Sequence, residues 1–214
     1  AGNSMKYKVM IVEDQTMPRE LFELRVQSSE HFEVALSIDN AALTDVYCLR
    51  FPVDLILMDV VTRGGESGLD AAERIKRAFP QIKIIIVTSM PECSYLSRAR
   101  EIGVESFWYK EEQRESLLDV MERTMAGESV YPDATPEMQL GLASSYKFTD
   151  RELEVLREMT GGDTNQEIAA RLHMSVATVK THILNMLEKT GFRNRTELAV
   201  RARESGLVIL NRKN

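Results

Sequence analysis

The sequence predicts a doubly wound α/β domain, with a five-stranded parallel sheet in the order 2-1-3-4-5, followed by a small all-α domain of four helices. Three observations lead there. Short apolar runs alternate with helical spacings over about the first 120 residues, the pattern of parallel strands joined by crossover helices. The alternation then stops at a stretch holding Pro132, Pro136 and Gly141. Beyond it only helix signals remain.

The central element is Asp54-Leu-Ile-Leu-Met-Asp59. An unbroken apolar run of this length reads as a strand buried on both faces. Taken in order, residues 9–12 form the first strand and end in Glu13-Asp14. Residues 16–29 form a helix, with Thr16 as N-cap and Met17, Leu21 and Leu24 at helical spacing. Residues 32–38 are the second strand. Asp39 or Asn40 caps a helix through Leu49, which Pro52 stops. After the third strand, 54–59, a loop rich in Gly and charge leads to a helix over 68–78. Its apolar face is Leu69, Ala72, Ile75 and Phe79. Residues 83–87 are the fourth strand, ending in Thr88-Ser89. Pro91 opens a helix through Ile102, and Gly103 closes it. Residues 106–109 are the fifth strand, ending in Lys110, and a last helix spans 113–125. No Gly-rich loop follows the first strand, which argues against a dinucleotide or Walker-type site.

At 214 residues the chain suits two domains. The expected bounds are 6–126 for the first, 127–146 for a linker with a short helix near 137–142, and 147–214 for the second. Residues 1–5, Ala-Gly-Asn-Ser before Met5, are expected to be an expression remnant outside the fold. Residues 1–147 hold 16 Lys and Arg against 24 Asp and Glu, a net −8; residues 148–214 hold 11 against 9, a net +2. An acidic front and a mildly basic tail imply different partners for the two domains. Cys48 and Cys93 have no motif spacing and read as reduced cysteines. No apolar run approaches the length of a membrane span, so a cytoplasmic protein with no membrane partner is expected.

Helix caps organise the second domain. Thr149 with Glu152, and Thr164 with Glu167, are capping boxes, in which each side chain satisfies the other residue's backbone N–H. The first helix runs to Met159, and the second carries Ile168, Ala169 and Leu172 inward. His173-Met174 makes a tight turn, with His173 structural. Ser175 caps a third helix through Thr190, and Asn194 with Glu197 opens a fourth that ends near Gly206. Two short helices joined by a tight turn are the signature of helix-turn-helix.

Chemistry gathers at the carboxyl ends of parallel strands. Here those ends are Glu13 and Asp14, Asp59, Thr88 and Lys110. In the order 2-1-3-4-5 the first and third strands are neighbours, so three carboxylates share one cleft. Like charges at that range need a cation, and oxygen-only ligands suit Mg²⁺. Asp59 is the best-placed nucleophile, able to form an acyl phosphate. Lys110 and the Thr88 hydroxyl would steady the phosphoryl oxygens. In the third helix of the second domain, Val179, Ile183, Met186 and Leu187 face the core, while Lys180, Thr181, Leu184, Asn185 and Glu188 face out. Such an outer face suits entry into a DNA groove, although the spacing alone equally describes an ordinary amphipathic helix.

Val12-Glu13-Asp14, Leu57-Met58-Asp59, Val87-Thr88-Ser89 and Tyr109-Lys110 resemble the receiver domain of two-component response regulators, whose sheet is flavodoxin-like. Phe148-Thr-Asp-Arg-Glu152, Thr164-Asn-Gln-Glu-Ile-Ala169, Thr178-Val-Lys-Thr-His182 and Arg195-Thr-Glu-Leu-Ala199 resemble a LuxR-type helix-turn-helix. Together they resemble the NarL/FixJ response regulators. The resemblance implies that Asp59 accepts phosphate from a sensor histidine kinase. It implies that Glu13, Asp14, Asp59 and the Val61 carbonyl hold Mg²⁺, and that Thr88 and an inward-turning Phe107 act as the switch. It implies that Lys180 and Thr181 read base edges, that Leu184 meets a thymine methyl, and that Thr164, Asn165, Thr178 and His182 contact phosphates. A phosphorylated homodimer, paired through the last helix, would bind two half-sites of promoter DNA. Glu152 and Arg195 are expected to cap and pack rather than read DNA. One departure stands out: Arg63 occupies the position where receivers usually carry proline, in a loop one residue longer than usual. An enzyme is not expected. A haloacid-dehalogenase site needs a second Asp at Val61, and no Ser/His/Asp or Cys/His set is present. The alternative is a receiver that does not switch by phosphate, either a constitutive DNA-binding dimer or one controlled by protein partners, and the unusual Arg63 loop is its motive.

Overall fold

The computed structural model describes residues 5–92, 94–111 and 115–209. Cys93 and residues 112–114, where the last helix of the first half was expected to begin, lie outside them. Contacts divide the chain into two units, residues 5–89 with 94–134, and residues 135–209 with 90–92.

The first unit is a five-stranded parallel sheet: β1 (Tyr7–Val12), β2 (Phe32–Ile38), β3 (Leu55–Asp59), β4 (Lys83–Thr88) and β5 (Ser106–Tyr109), in the order β2-β1-β3-β4-β5. Every residue of β3 is buried. The interleaved helices are α1 (Thr16–Gln27), α2 (Thr44–Arg50, entered through a 3₁₀ turn at Ala41–Leu43), α3 (Gly68–Ala78), α4 (Ser94–Ile102) and α5 (Leu117–Met125). One sheet face packs Val9, Ile11, Leu55, Leu57, Ile85, Val87 and Trp108 against Phe22 and Val26 of α1 and Leu117, Val120 and Met121 of α5.

Three local expectations are corrected. Thr16 is the first helical residue, not the cap; Gln15 precedes it and makes no side-chain cap bond. The Met17, Leu21 and Leu24 stripe faces solvent, 81%, 48% and 63% exposed, because α1 turns Phe22 and Val26 inward instead. Pro91 does not open α4, which starts at Ser94.

The second unit has four helices: α6 (Asp150–Met159), α7 (Asn165–Leu172), α8 (Val176–Thr190) and α9 (Arg195–Ser205). Both capping boxes form as reciprocal pairs. His173 ends α7 in the left-handed conformation, φ 54°, which lets the chain turn directly into the Ser175 cap of α8. The expected short helix near 137–142 is instead a hairpin, β6 (Gln139–Leu140) and β7 (Ala143–Ser144). Gly141 turns it at φ 59°, where a Cβ would fall 2.4 Å from the Thr190 carbonyl oxygen. Leu140 and Ala143 join Leu156, Ile168, Val179, Met186 and Leu198 in the core, so burial rather than helix spacing decides this segment. Among the described residues, no helix is long and apolar enough to cross a membrane.

Candidate functional site

The order β2-β1-β3-β4-β5 brings the ends of β1, β3 and β5 to one edge of the first unit. Glu13 follows β1 and is 1% exposed; Asp59 ends β3 and is also buried. Lys110 follows β5, its backbone N–H donating to the Thr88 carbonyl at 2.9 Å. Its Nζ donates to Glu13 Oε2 at 2.7 Å and to Asp59 Oδ2 at 2.9 Å. The remaining Glu13 oxygen accepts the Gln15 N–H at 3.2 Å.

One ammonium thus answers two buried carboxyl groups. Burial, and then Glu13 alongside it, push the Asp59 carboxyl up to about 7 against the pull of Lys110. Burial alone would lower Lys110, but Asp59 and Glu13 outweigh it and hold the ammonium above its ordinary value. A buried carboxylate beside a retained cation can serve as a nucleophile toward phosphorus, and the cation can meet the charge that arrives.

The other candidates sit on or beside β1, β3, β4 and β5. Asp14 is half-buried. Thr88 closes β4 with no exposed surface. Val61 is exposed, and its N–H donates to Asp59 Oδ1 at 3.4 Å. Phe107 is buried within β5, its ring 5.0 Å from Tyr109 and 6.2 Å from Tyr131 between centroids.

The loop after Asp59 is anchored at both ends. Val61 and Ser67 form a β-bridge, and the Gly68 N–H donates to the Val60 carbonyl at 2.8 Å. A Cβ on Gly68 would sit 1.8 Å from the Asp59 carbonyl oxygen, so only glycine can start α3 here. The buried Thr62 hydroxyl accepts the Ala41 N–H at 2.9 Å. Arg63 donates its own N–H to the Asp39 carbonyl at 3.2 Å and pairs with the Asp39 carboxylate at 3.5 Å. Sequence reasoning missed Thr62; its neighbours Arg63 and Gly64 drew attention to the loop, but a buried hydroxyl leaves no spacing signal.

In the second unit Lys180, Thr181 and Leu184 line the exposed face of α8, Leu184 being 65% exposed. Val179, Ile183 and Met186 hold the opposite face in the core. The Thr178 hydroxyl lies 2.8 Å from that of Ser175, and His182 is half-buried. A concavity of about 510 Å³ spans the starts of α7 and α8, lined by Asn165, Gln166, Lys180 and Arg195 among others. Two of these residues are engaged locally. The Thr164 hydroxyl donates to the Glu167 carboxylate at 2.9 Å while accepting the Glu167 N–H, so it belongs to the cap. Arg195 does pack as expected, but onto a candidate contact: its guanidinium donates to Asn165 Oδ1 and, at 2.5 Å, to the Asp163 carbonyl. Glu152 caps α6 and also accepts from Lys189 at 2.5 Å.

Comparison with known proteins adds to this geometry. The model of the response regulator receiver domain matches residues 9–122, and that of the LuxR family of bacterial regulatory proteins matches residues 146–202. The response regulator protein VraR of Staphylococcus epidermidis is 33% identical over 211 residues, spanning 95% of this chain and 100% of the relative. VraR of Staphylococcus aureus is 32% identical over 209 residues, with the same coverage. Among solved structures, RcsB dimers bound to two parallel DNAs align with a TM-score of 0.62 at 19% identity, over 92% of this chain and 98% of that one. RcsB from Salmonella enterica serovar Typhimurium, bound to promoter P1flhDC with the phosphomimetic BeF3−, aligns with a TM-score of 0.61 at 21% identity, over 95% and 100%.

Proposed function

Because the chain belongs to the DNA-binding response regulators, with a receiver domain and a LuxR-type regulatory domain, we propose that phosphoryl transfer to Asp59 controls its dimerisation and promoter binding. The donor is a sensor histidine kinase, and the protein acts in the cytoplasm. The observation that carries this is Lys110 bridging Asp59 and Glu13 at the strand ends, a nucleophile with its counter-charge already in place.

A divalent cation fits the donor set. Glu13, Asp14, Asp59 and the Val61 carbonyl offer hard oxygens of the kind Mg²⁺ takes, and the Asp59 carboxyl, pushed up to about 7 by burial and Glu13, is a group whose ionised form an added cation would favour. Among the described residues no three acids already converge as a metal cage. When bound, the cation would neutralise charge on the phosphoryl oxygens. Asp59 attacks phosphorus as the bond to the donor's histidine nitrogen breaks, leaving an acyl phosphate. Lys110 then meets a phosphoryl oxygen, and the Thr88 hydroxyl donates to another, drawing the end of β4 toward the site and favouring Phe107 turned inward. The loop that motivates the phosphate-independent alternative is held at Thr62 by the Ala41 N–H and at Arg63 by Asp39, contacts that favour a fixed loop beside Asp59.

DNA reading rests on α8. Lys180 and Thr181 reach base edges, Leu184 meets a thymine methyl, and Asn165, Thr178 and His182 take phosphates. Two domains so placed in a dimer would meet half-sites about one helical turn apart. The test is beryllofluoride with Mg²⁺, a mimic of the acyl phosphate. Dimer formation and tighter DNA binding are expected. Oligomeric state and DNA affinity that both stay unchanged would overturn the phospho-switch.

A further inference from the structure

β5 is an edge strand, and an edge strand exposes unpaired backbone groups unless something covers them. Here the chain beyond α5 does so. The Phe107 N–H donates to the Val130 carbonyl at 2.9 Å, and the Val130 N–H donates to the Ser106 hydroxyl at 3.1 Å. That hydroxyl lies 2.6 Å from the Thr124 hydroxyl of α5, which donates to the Val120 carbonyl. Side chains alternate as they would on a strand. Val130 packs with the α1 and α5 face, and Tyr131 turns to the other face. Pro132 follows, and a residue before proline is held extended, which fixes this geometry locally.

Tyr131 is held from three sides. Its hydroxyl donates to the Val104 carbonyl at 2.5 Å. The Arg100 guanidinium of α4 lies 4.6 Å from its ring centroid, a cation–π contact. The third neighbour is the buried ring of Phe107, 6.2 Å away at 36°. Phe107 is thus inward and Tyr131 covers the edge beside it. The two rings are neighbours, so a turn of Phe107 changes what Tyr131 packs against.

We infer that Tyr131 is a positioning residue that ties the linker to the switch: residues 129–131 stay clasped on β5 while Phe107 is inward and are released when it turns out. This rests on the proposal that loading Asp59 favours an inward Phe107. The clasp makes the path of the linker away from the receiver depend on the state of the acid site. No new chemistry is needed, only a two-state contact that loading biases.

The test is hydrogen exchange on the full chain, with and without beryllofluoride and Mg²⁺, following the Phe107 and Val130 amides. Fluorine NMR of bound beryllofluoride reports separately whether the acid site is loaded. In the unmodified protein, loading is expected to slow both amides by about tenfold or more. In Tyr131→Ala, loading persists but the slowing is lost. Tyr131→Phe, which keeps the ring against Phe107 and Arg100, restores it. Slowing that survives Tyr131→Ala, or loading that leaves the unmodified protein's amides unchanged, overturns the inference while leaving the acid-site proposal intact. Tyr131→Phe behaving as the alanine variant overturns the ring contact as the carrier. Failure to load at all overturns the acid-site proposal and this inference with it.

Discussion

Lys110 Nζ stands 2.7 Å from Glu13 and 2.9 Å from Asp59, and it is the only cation paired to either among the described ion pairs. Removing it leaves two buried carboxylates facing each other. Lys110→Ala should therefore destabilise the protein in divalent-free buffer. The loss should be about 3 kcal/mol, the low end for breaking a buried pair, because the ammonium is partly reached by water. Urea unfolding at neutral pH checks this. Asp59→Asn removes one of the competing charges and keeps the shape, so it should be no less stable, while taking up no phosphoryl group from a kinase or small donor by mass spectrometry. If the Asp59→Asn protein is still phosphorylated, the acceptor lies elsewhere.

The loop after Asp59 separates two kinds of contact. Thr62→Val leaves the buried Ala41 N–H without its acceptor and should cost about 1–3 kcal/mol. Arg63→Ala loses only an exposed ion pair and should cost less than about 1 kcal/mol. Arg63→Pro, which supplies the residue usual in receivers, also deletes the N–H bond to the Asp39 carbonyl and should destabilise by about 1 kcal/mol. Urea midpoints for the three variants give the ranking. A stabilising Arg63→Pro would show that the loop tolerates the usual residue without its tie to Asp39.

What the sequence made legible followed from strong local rules. β2, α3 and β5 begin and end where the apolar runs and the helical spacing indicated, and both capping boxes form. The acid site was legible because parallel strands in this order place their ends together, so residue types at strand ends suffice. What stayed hidden depends on tertiary packing. Met17, Leu21 and Leu24 keep a helical spacing as good as that of Phe22 and Val26, and only the sheet decides which stripe is buried. Residues 137–142 carry apolar residues that fit a helix, yet the core of the second unit recruits Leu140 and Ala143 as a hairpin. Tyr131 offered no signal beyond the proline after it, since its meaning lies in the ring it meets.

Cys48 offers a pH test with a definite sign. Burial pushes its thiol from 9.0 up to about 11. The folded protein then holds the thiol proton more tightly than the unfolded chain. Stability from this group is present below the unfolded value and is lost as pH rises through the folded one. In a Cys93→Ser background, a thiol-specific disulfide reagent should label Cys48 slowly at pH 8 and fully in denaturant. Rapid labelling in native buffer would contradict its burial.

The second unit ends on a sharper division of labour. The Lys180 ammonium is exposed on α8, so Lys180→Ala should cost about 1–3 kcal/mol on a selected operator and relax base preference there. The Thr164 hydroxyl is engaged by Glu167, so Thr164→Val should cost about 1 kcal/mol of folding stability and little DNA affinity. Arg195 differs from both. It holds the Asn165 side-chain oxygen, which leaves the Asn165 amide N–H groups to face a phosphate. Arg195→Ala should therefore weaken binding to all sequences alike. The Asn165 amide carries no charge, so loss of its phosphate contact should leave the slope of log affinity against log salt little changed. DNA affinity that stays the same, with only stability reduced, would confine Arg195 to packing.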